Sequence, residues 1–320
     1  MTIATTSDSS PTIPLDRDQP AYDAFCRVLL HLLDAVDANW RGTIDGIDPE
    51  PLHDLRVAVR RTRSVLNAAK HVLPSDVRSR FRKKFGWLGD VTSPVRDLDV
   101  QITEWDSYTA ALDDHARDAL AAVLDDVSDR RRTARDDLAR TLRSDRYRRL
   151  VDGWRAFLAT PPGESGSEAR EPIGRLVIAR IEAAQHKVLK RGRDIGPTSP
   201  AEDLHELRKD AKKLRYLLEC FGGLFATRRR RAFVKQLKAL QDNLGEHQDA
   251  AVHAARLRDL SQELRASSAV ASDTLLAVGE LIEHLDRRRV DARAGFAACF
   301  AAYDTKKTAR TLRELLASEP

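Results

Sequence analysis

A basic helix led by histidine occurs twice in this chain, 152 residues apart, and this repeat restricts the fold more than any other feature. The first copy, residues 53–63, reads HDLRVAVRRTR, and the second, residues 205–215, reads HELRKDAKKLR. The register continues without a gap: Phe81 falls on Phe233, Lys83 on Lys235, Leu88 on Leu240, Asp90 on Asp242, Asp97 on Asp249 and Val100 on Val252. A chain of 320 residues is longer than one hydrophobic core usually serves, and the repeat cuts it into two units of about 150 residues. Two homologous units that keep a histidine and a row of cations in register are expected to face one shared polyanion.

Strand-like alternation is nowhere convincing, and Leu, Ala, Arg and Asp dominate a chain that is 42% hydrophobic and 32% charged. The expected fold class is therefore all-α, two duplicated helical bundles. Met1 to Asp18, rich in Thr, Ser, Pro and Asp, is expected to be a disordered tail. The first repeat should then cover 19–158, a linker 159–171, and the second repeat 172–318. Breaks are expected at Thr92-Ser93-Pro94 and before His247, with single helices near Asp113–Arg143 and from Arg288 onward. Cys26, Cys220 and Cys299 are far apart and odd in number, which fits reduced thiols in a cytoplasmic protein better than disulfides or a zinc knuckle. No signal peptide or long apolar run is present, so no membrane partner is expected.

The net charge of +5 hides a strong segregation. Residues 53–84 hold ten Arg/Lys against two acids, and residues 205–238 hold eleven against three. The remainder is acidic and would repel a polyanion, so the charge argues for a confined anion site.

On a wheel of 100° per residue, His53, Arg56, Arg60 and Arg63 share an arc of about 80°, beside an apolar face carrying Leu55, Val59 and Leu66. His205, Arg208, Lys212 and Arg215 do the same in the second copy. Like charges at these spacings repel, and a multivalent anion lying along the row relieves that cost. Successive cations about 4.5–6 Å apart suit a chain of phosphates better than a single one. Arg61 and Lys213 fall outside the row, so Arg61→Ala should cost less anion binding than a paired Arg56→Ala/Arg208→Ala change. Lys84, inward-leaning on the next helix, is a flanking candidate with Arg96, Lys238 and His247. The duplicated acids, Asp90/Asp242 and Asp97/Asp249, are expected to position the arginines or cap helices.

No metal site, cofactor or nucleophile is expected. His205-Glu206 is followed by Lys209 where a zincin needs its second histidine, and neither a phosphate-binding glycine loop nor a nucleophile elbow occurs. A nucleic-acid reading lacks aromatic residues interleaved with the cations. A metal-dependent phosphohydrolase would rest only on His53/Asp54 and His205/Glu206.

The blocks His53-x-x-Arg56-x-x-x-Arg60-Arg61-x-Arg63 and Pro94-Val95-Arg96-Asp97-Leu98-Asp99-Val100 occur in the first half. The second half has His205-x-x-Arg208-x-x-x-Lys212-Lys213-Leu214-Arg215-Tyr216 and Leu240-Gln241-Asp242-x-Leu244-Gly245-Glu246-His247-Gln248-Asp249. Over about residues 20–315 this pattern resembles the CHAD family, the conserved-histidine α-helical domain. The resemblance implies two pseudo-symmetric four-helix bundles around a basic central cavity, and binding of inorganic polyphosphate. It also implies a non-catalytic role, association with polyphosphate granules, and possible partners among polyphosphate-metabolising enzymes. The expected polyphosphate-binding set is His53, Arg56, Arg60, Arg63, Lys84, Arg96, His205, Arg208, Lys212, Arg215, Lys238 and His247. At Thr92-Ser93 the first half departs from the Leu-Gly pair that is common in the family and stands at Leu244-Gly245 here.

Overall fold

In the computed structural model, residues 13–160, 165–266 and 271–319 are described, and among them there is no strand. Seven helices make up the first half: α1 Ala21–Asp45, α2 Glu50–Ala68, α3 Ser75–Thr103, α4 Trp105–Thr109, α5 Asp114–Ala119, α6 Ala121–Leu142 and α7 Asp145–Ala159. Five follow: α8 Ile173–Asp194, α9 Ala201–Cys220, α10 Thr227–Ala266, α11 Ser272–Tyr303 and α12 Lys306–Leu316. The starts of α1, α2 and α3 recur 152 residues later, within one residue, at the starts of α8, α9 and α10.

The two halves are clasped at their first turns by backbone bonds that exchange under the same offset. Ala21 N donates to Glu171 O (2.9 Å) and Ile173 N to Gln19 O (3.1 Å). Tyr22 N donates to Ala169 O and Gly174 N to Arg17 O, both at 2.9 Å. Prolines at the N-caps, Pro20 and Pro172, leave these orphan helix-start amides free to cross over. One continuous apolar core then runs through both halves, with the Phe25 and Phe221 rings edge-on at 5.0 Å. A second cluster joins Trp105, Tyr108 and Leu120 to Leu257, Leu281 and Leu285 at the far end.

Six local expectations are corrected. Residues 13–18 are packed: Arg17 donates from Nε to Leu224 O and from Nη2 to Leu316 O and Ser318 O, and Leu15 is buried. Residues 1–12 of the expected tail and 161–164 of the expected linker lie outside the described residues. The rest of that linker is pinned, because Gly166 N donates to Val72 O and Glu168 N to His71 O. A Cβ on Gly166 would meet the His71 carbonyl at 2.1 Å, so only glycine fits there.

Helix α3 passes straight through Pro94. The Thr92 hydroxyl donates to Leu88 O and that of Ser93 to Gly89 O in the turn just before the proline, whose missing amide leaves Asp90 O without its usual donor. Helix α10 continues without a break through His247, and α11 through Arg288, because each buries its apolar face against the other along their length. The expected Asp113–Arg143 helix is instead split at Leu120, whose amide bonds back to Ala116 and Arg117.

A shared core makes the halves one cooperative unit. Thermal unfolding should show a single transition, and Phe221→Ala should lower all of it by about 3–5 kcal/mol. Two separable transitions in calorimetry would contradict this.

Candidate functional site

Helices α2 and α9, which carry the two basic rows, pack against each other. Their apolar faces (Leu55, Val59 and Leu66; Leu207, Leu214 and Leu218) are buried in the common core, leaving the cationic rows at its edge. The homologous pair Arg60 and Lys212 are electrostatic neighbours across the seam. Lys212 is pushed down to about 8, first by burial and then by Arg208 and Arg60. Arg56 is lowered to about 10 by burial and Arg60, and so stays charged at neutral pH. Burial, then Arg96 and Arg60, hold His53 below the ordinary histidine range, so its neutral form dominates at pH 7.

Each row has members that are clamped and members that are free. Arg56 Nη1 donates to Gly89 O (2.9 Å), Thr92 Oγ1 (2.8 Å) and Ser93 Oγ (3.1 Å). In the second half Arg208 Nη2 instead donates to Asp249 Oδ1 at 2.9 Å, and Gly245 occupies the place of Ser93. The Thr92-Ser93 departure thus has a local purpose: hydroxyls hold the arginine that a carboxylate holds in the other copy. Arg215 Nε donates to Glu219 Oε1 (2.5 Å), and Glu219 Oε2 accepts from Arg61 Nη2 of the first half (2.7 Å). Arg60, Arg63 and Lys212 form no ion pair among the described residues. A Cβ on Gly89 would lie 3.4 Å from Arg63 Nη1, so that guanidinium packs over the glycine of α3.

The flanking candidates divide. Arg96 lies beside the first row: it is half-buried, lowers His53, and is itself held below the ordinary arginine range by burial, with Arg60 among its cationic neighbours. By the offset its counterpart is Gln248, whose Oε1 lies 2.9 Å from His205 Nδ1. Lys84 does not line a gap: its Nζ sits 5.1 Å from the centre of the Phe81 ring, the snorkelling arrangement of a long side chain over apolar surface. His247 is buried on the α11 side of α10, where Arg289 and Arg293 are its charged neighbours, so helix phase takes it away from the rows. Lys238 stands 3.8 Å from Asp242 at the outer edge. A cavity of about 200 Å³ lies elsewhere, between α3, α6 and α10, lined by residues of both charge signs such as Arg130, Arg256, Asp126 and Glu263.

Glu202, His205 and Glu206 bring ligand atoms within 4.8 Å of one another, the one group among the described residues able to hold a metal ion. Two of them already have partners, His205 with Gln248 and Glu206 with Lys209.

A family profile described as the CHAD domain matches residues 27–258. The chain belongs to the CHAD domain family. Among solved structures it is similar to the crystal structure of the CHAD domain from the plant Ricinus communis, with a TM-score of 0.73 and 28% identity over 91% of this chain and 95% of that one. It shares its fold with PptA from Streptomyces chartreusis, with a TM-score of 0.64 and 19% identity over 88% of this chain and 99% of the other. A curated relative is an uncharacterised protein of Mycobacterium tuberculosis, Rv2226 of strain H37Rv, 26% identical over 283 residues. Another is its counterpart MT2285 in strain CDC 1551, also 26% identical. This CHAD chain covers 85% of its own length in those alignments but spans about half the length of either relative.

Several partners in the CHAD site escaped the sequence reading. Glu219, Gln248, Thr92 and Ser93 are polar residues without a motif, and only folding places them against an arginine or histidine. Asp249 was legible as a duplicated acid and does position Arg208. Its twin Asp97 instead pairs with Arg256 of the second half at 2.7 Å. Arg61, outside the row on the wheel, is the cross-half bridge and so cannot serve as an inert comparison. Arg61→Ala should destabilise the protein by roughly 1–3 kcal/mol, because it strips one donor from a nearly buried carboxylate. A melting temperature within about 1 °C of the parent would show that the bridge contributes nothing.

Proposed function

We propose that this CHAD protein binds inorganic polyphosphate along the two basic rows of α2 and α9, without catalysing a reaction on it. The observation that carries this reading is that Arg60 and Lys212 are neighbouring cations across the α2/α9 seam, with Arg63 further along the same α2 row, and that none of the three forms an ion pair among the described residues. Gathering unpaired like charges costs stability, and a polyanion offsets that cost. The reciprocal clasp at Pro20 and Pro172 supports two related halves about a basic centre, as the family resemblance implies. The clamped arginines, Arg56 and Arg208, set the walls. The free ones move to phosphate oxygens, with forked arginine contacts favoured over single ones. His53, His205 and Arg96 complete the two ends of the rows.

Such a protein would serve polyphosphate granules in the cytoplasm, and enzymes of polyphosphate metabolism are the partners to seek. No helix among the described residues is long and apolar enough to cross a membrane.

Calorimetric titration with long-chain polyphosphate and with a DNA duplex at one physiological salt concentration tests the reading. Tight binding of the first and weak binding of the second is expected. Comparable affinities would move nucleic acid ahead, and phosphate release on adding Mg²⁺ or Mn²⁺ would establish a hydrolase. The double change Arg60→Ser/Lys212→Ser should weaken polyphosphate binding by about 30-fold or more, while leaving the melting temperature unchanged or higher. A matched loss of stability would mean that the two cations hold the fold instead.

Binding should also depend on pH through Lys212. Phosphate contacts favour its charged form and raise a value that is about 8 in the free protein, so protons are taken up on binding. Affinity is then highest below pH 8 and falls by up to about tenfold between pH 7 and 9. Lys212→Arg should flatten that profile, and an unchanged slope in this variant would assign the dependence elsewhere.

A further inference from the structure

Helix α10 begins with Thr227-Arg228-Arg229-Arg230-Arg231 and has no Asp or Glu before Asp242. Its four leading arginines do different things. Arg229 donates to Glu314 O of α12 at 2.8 Å, and Arg230 is buried beneath Gly222. Arg228 and Arg231 point elsewhere and are exposed, as is Lys235. With Arg228 at 0° on the helix wheel, Lys235, Arg231 and Lys238 fall at about 340°, 300° and 280°, within one arc of about 80°. Gly245 and Asp249 extend the same face inward, and Asp249 is the residue that holds Arg208. A straight run from Arg228 to Lys238 covers about 15 Å of exposed helix.

The row also meets the site at the right end. Helices α9 and α10 are joined by a short turn and run antiparallel, with His205 opposite Gln248 and Arg208 opposite Asp249. Carried along that register, Arg215 comes opposite about residues 238–242, so the α10 row starts where the α9 row stops. Lys238 and Asp242, 3.8 Å apart, stand at the junction.

The first half has no such row. Positions equivalent to Arg228, Arg231, Lys235 and Lys238 are Asp76, Ser79, Lys83 and Gly86, and of the other cations at the start of α3, Arg80 and Lys84 lie over the Phe81 ring. A solubility surface inherited by duplication would be present in both copies. Arg228 and Lys235 have no ion-pair partner among the described residues, and cations in the first turns of a helix oppose its dipole.

We propose that the exposed α10 face bearing Arg228, Lys235 and Lys238 is an exit track, which takes up polyphosphate protruding from the second-half end of the site. The inference rests on the polyphosphate reading above and adds a direction to it. Short chains would fill only the α2/α9 rows. Long chains would leave by the second half, so that affinity rises with chain length through α10 and not through α3.

The test compares the full chain, the variant Arg228→Ser/Lys235→Ser, and a control, Arg132→Ser/Arg140→Ser, which removes the same charge from exposed positions of α6. Each is titrated with tripolyphosphate and with long-chain polyphosphate over a range of salt. Expected are equal tripolyphosphate affinities in all three and at least about fivefold weaker long-chain binding in the α10 variant alone. Its slope of log affinity against log salt should be shallower by about one to two. Long-chain affinity unchanged in the α10 variant, or lowered equally in the α6 control, would overturn the track. Failure of the parent protein to bind either polyphosphate would overturn the polyphosphate reading itself, an outcome distinct from loss of chain-length dependence.

Discussion

Two helices with like charge lie side by side, and the Glu219 carboxylate ties them together. Glu219 accepts Arg215 from its own helix and Arg61 from the other half, and its side chain is only 9% exposed. The apolar faces of α2 and α9 favour close packing while their cationic edges oppose it. With one bridge at Glu219 and arginines anchored to α3 and α10, the remaining charges are left gathered but unneutralised. That residual imbalance is the physical basis of the anion-binding reading proposed above.

The two copies reach the same end by different chemistry. Arg56 is held by a carbonyl and two hydroxyls, Arg208 by a carboxylate. His53 faces Arg96, whereas His205 faces Gln248. The surroundings of His53 are therefore more strongly cationic than those of His205. The two repeats thus differ in local chemistry while sharing one core.

Electrostatic placement and burial act together on the titrating groups. Lys212 and His53 are depressed because desolvation and neighbouring cations both disfavour the charged form. Under the proposed function, a polyanion would reverse the second cause, so that ligand and proton bind with positive coupling.

The helical class, the repeat, its offset and the two cationic rows were all legible in the sequence, because period, spacing and charge are local properties of a chain. Arg56, Arg60, Arg63, Arg208, Lys212 and Arg215 stand where helical phase alone puts them, on the edges of α2 and α9. What phase cannot show is which edge meets which. That the halves share one core, that α3 crosses Pro94 and that α10 passes His247 unbroken all follow from packing against distant segments, which overrides local break signals. The roles of Glu219, Gln248, Thr92 and Ser93 were likewise decided by the tertiary structure. So were the settings of Lys84 and His247: one lies over an aromatic ring, and the other faces a neighbouring helix 40 or more residues away in sequence.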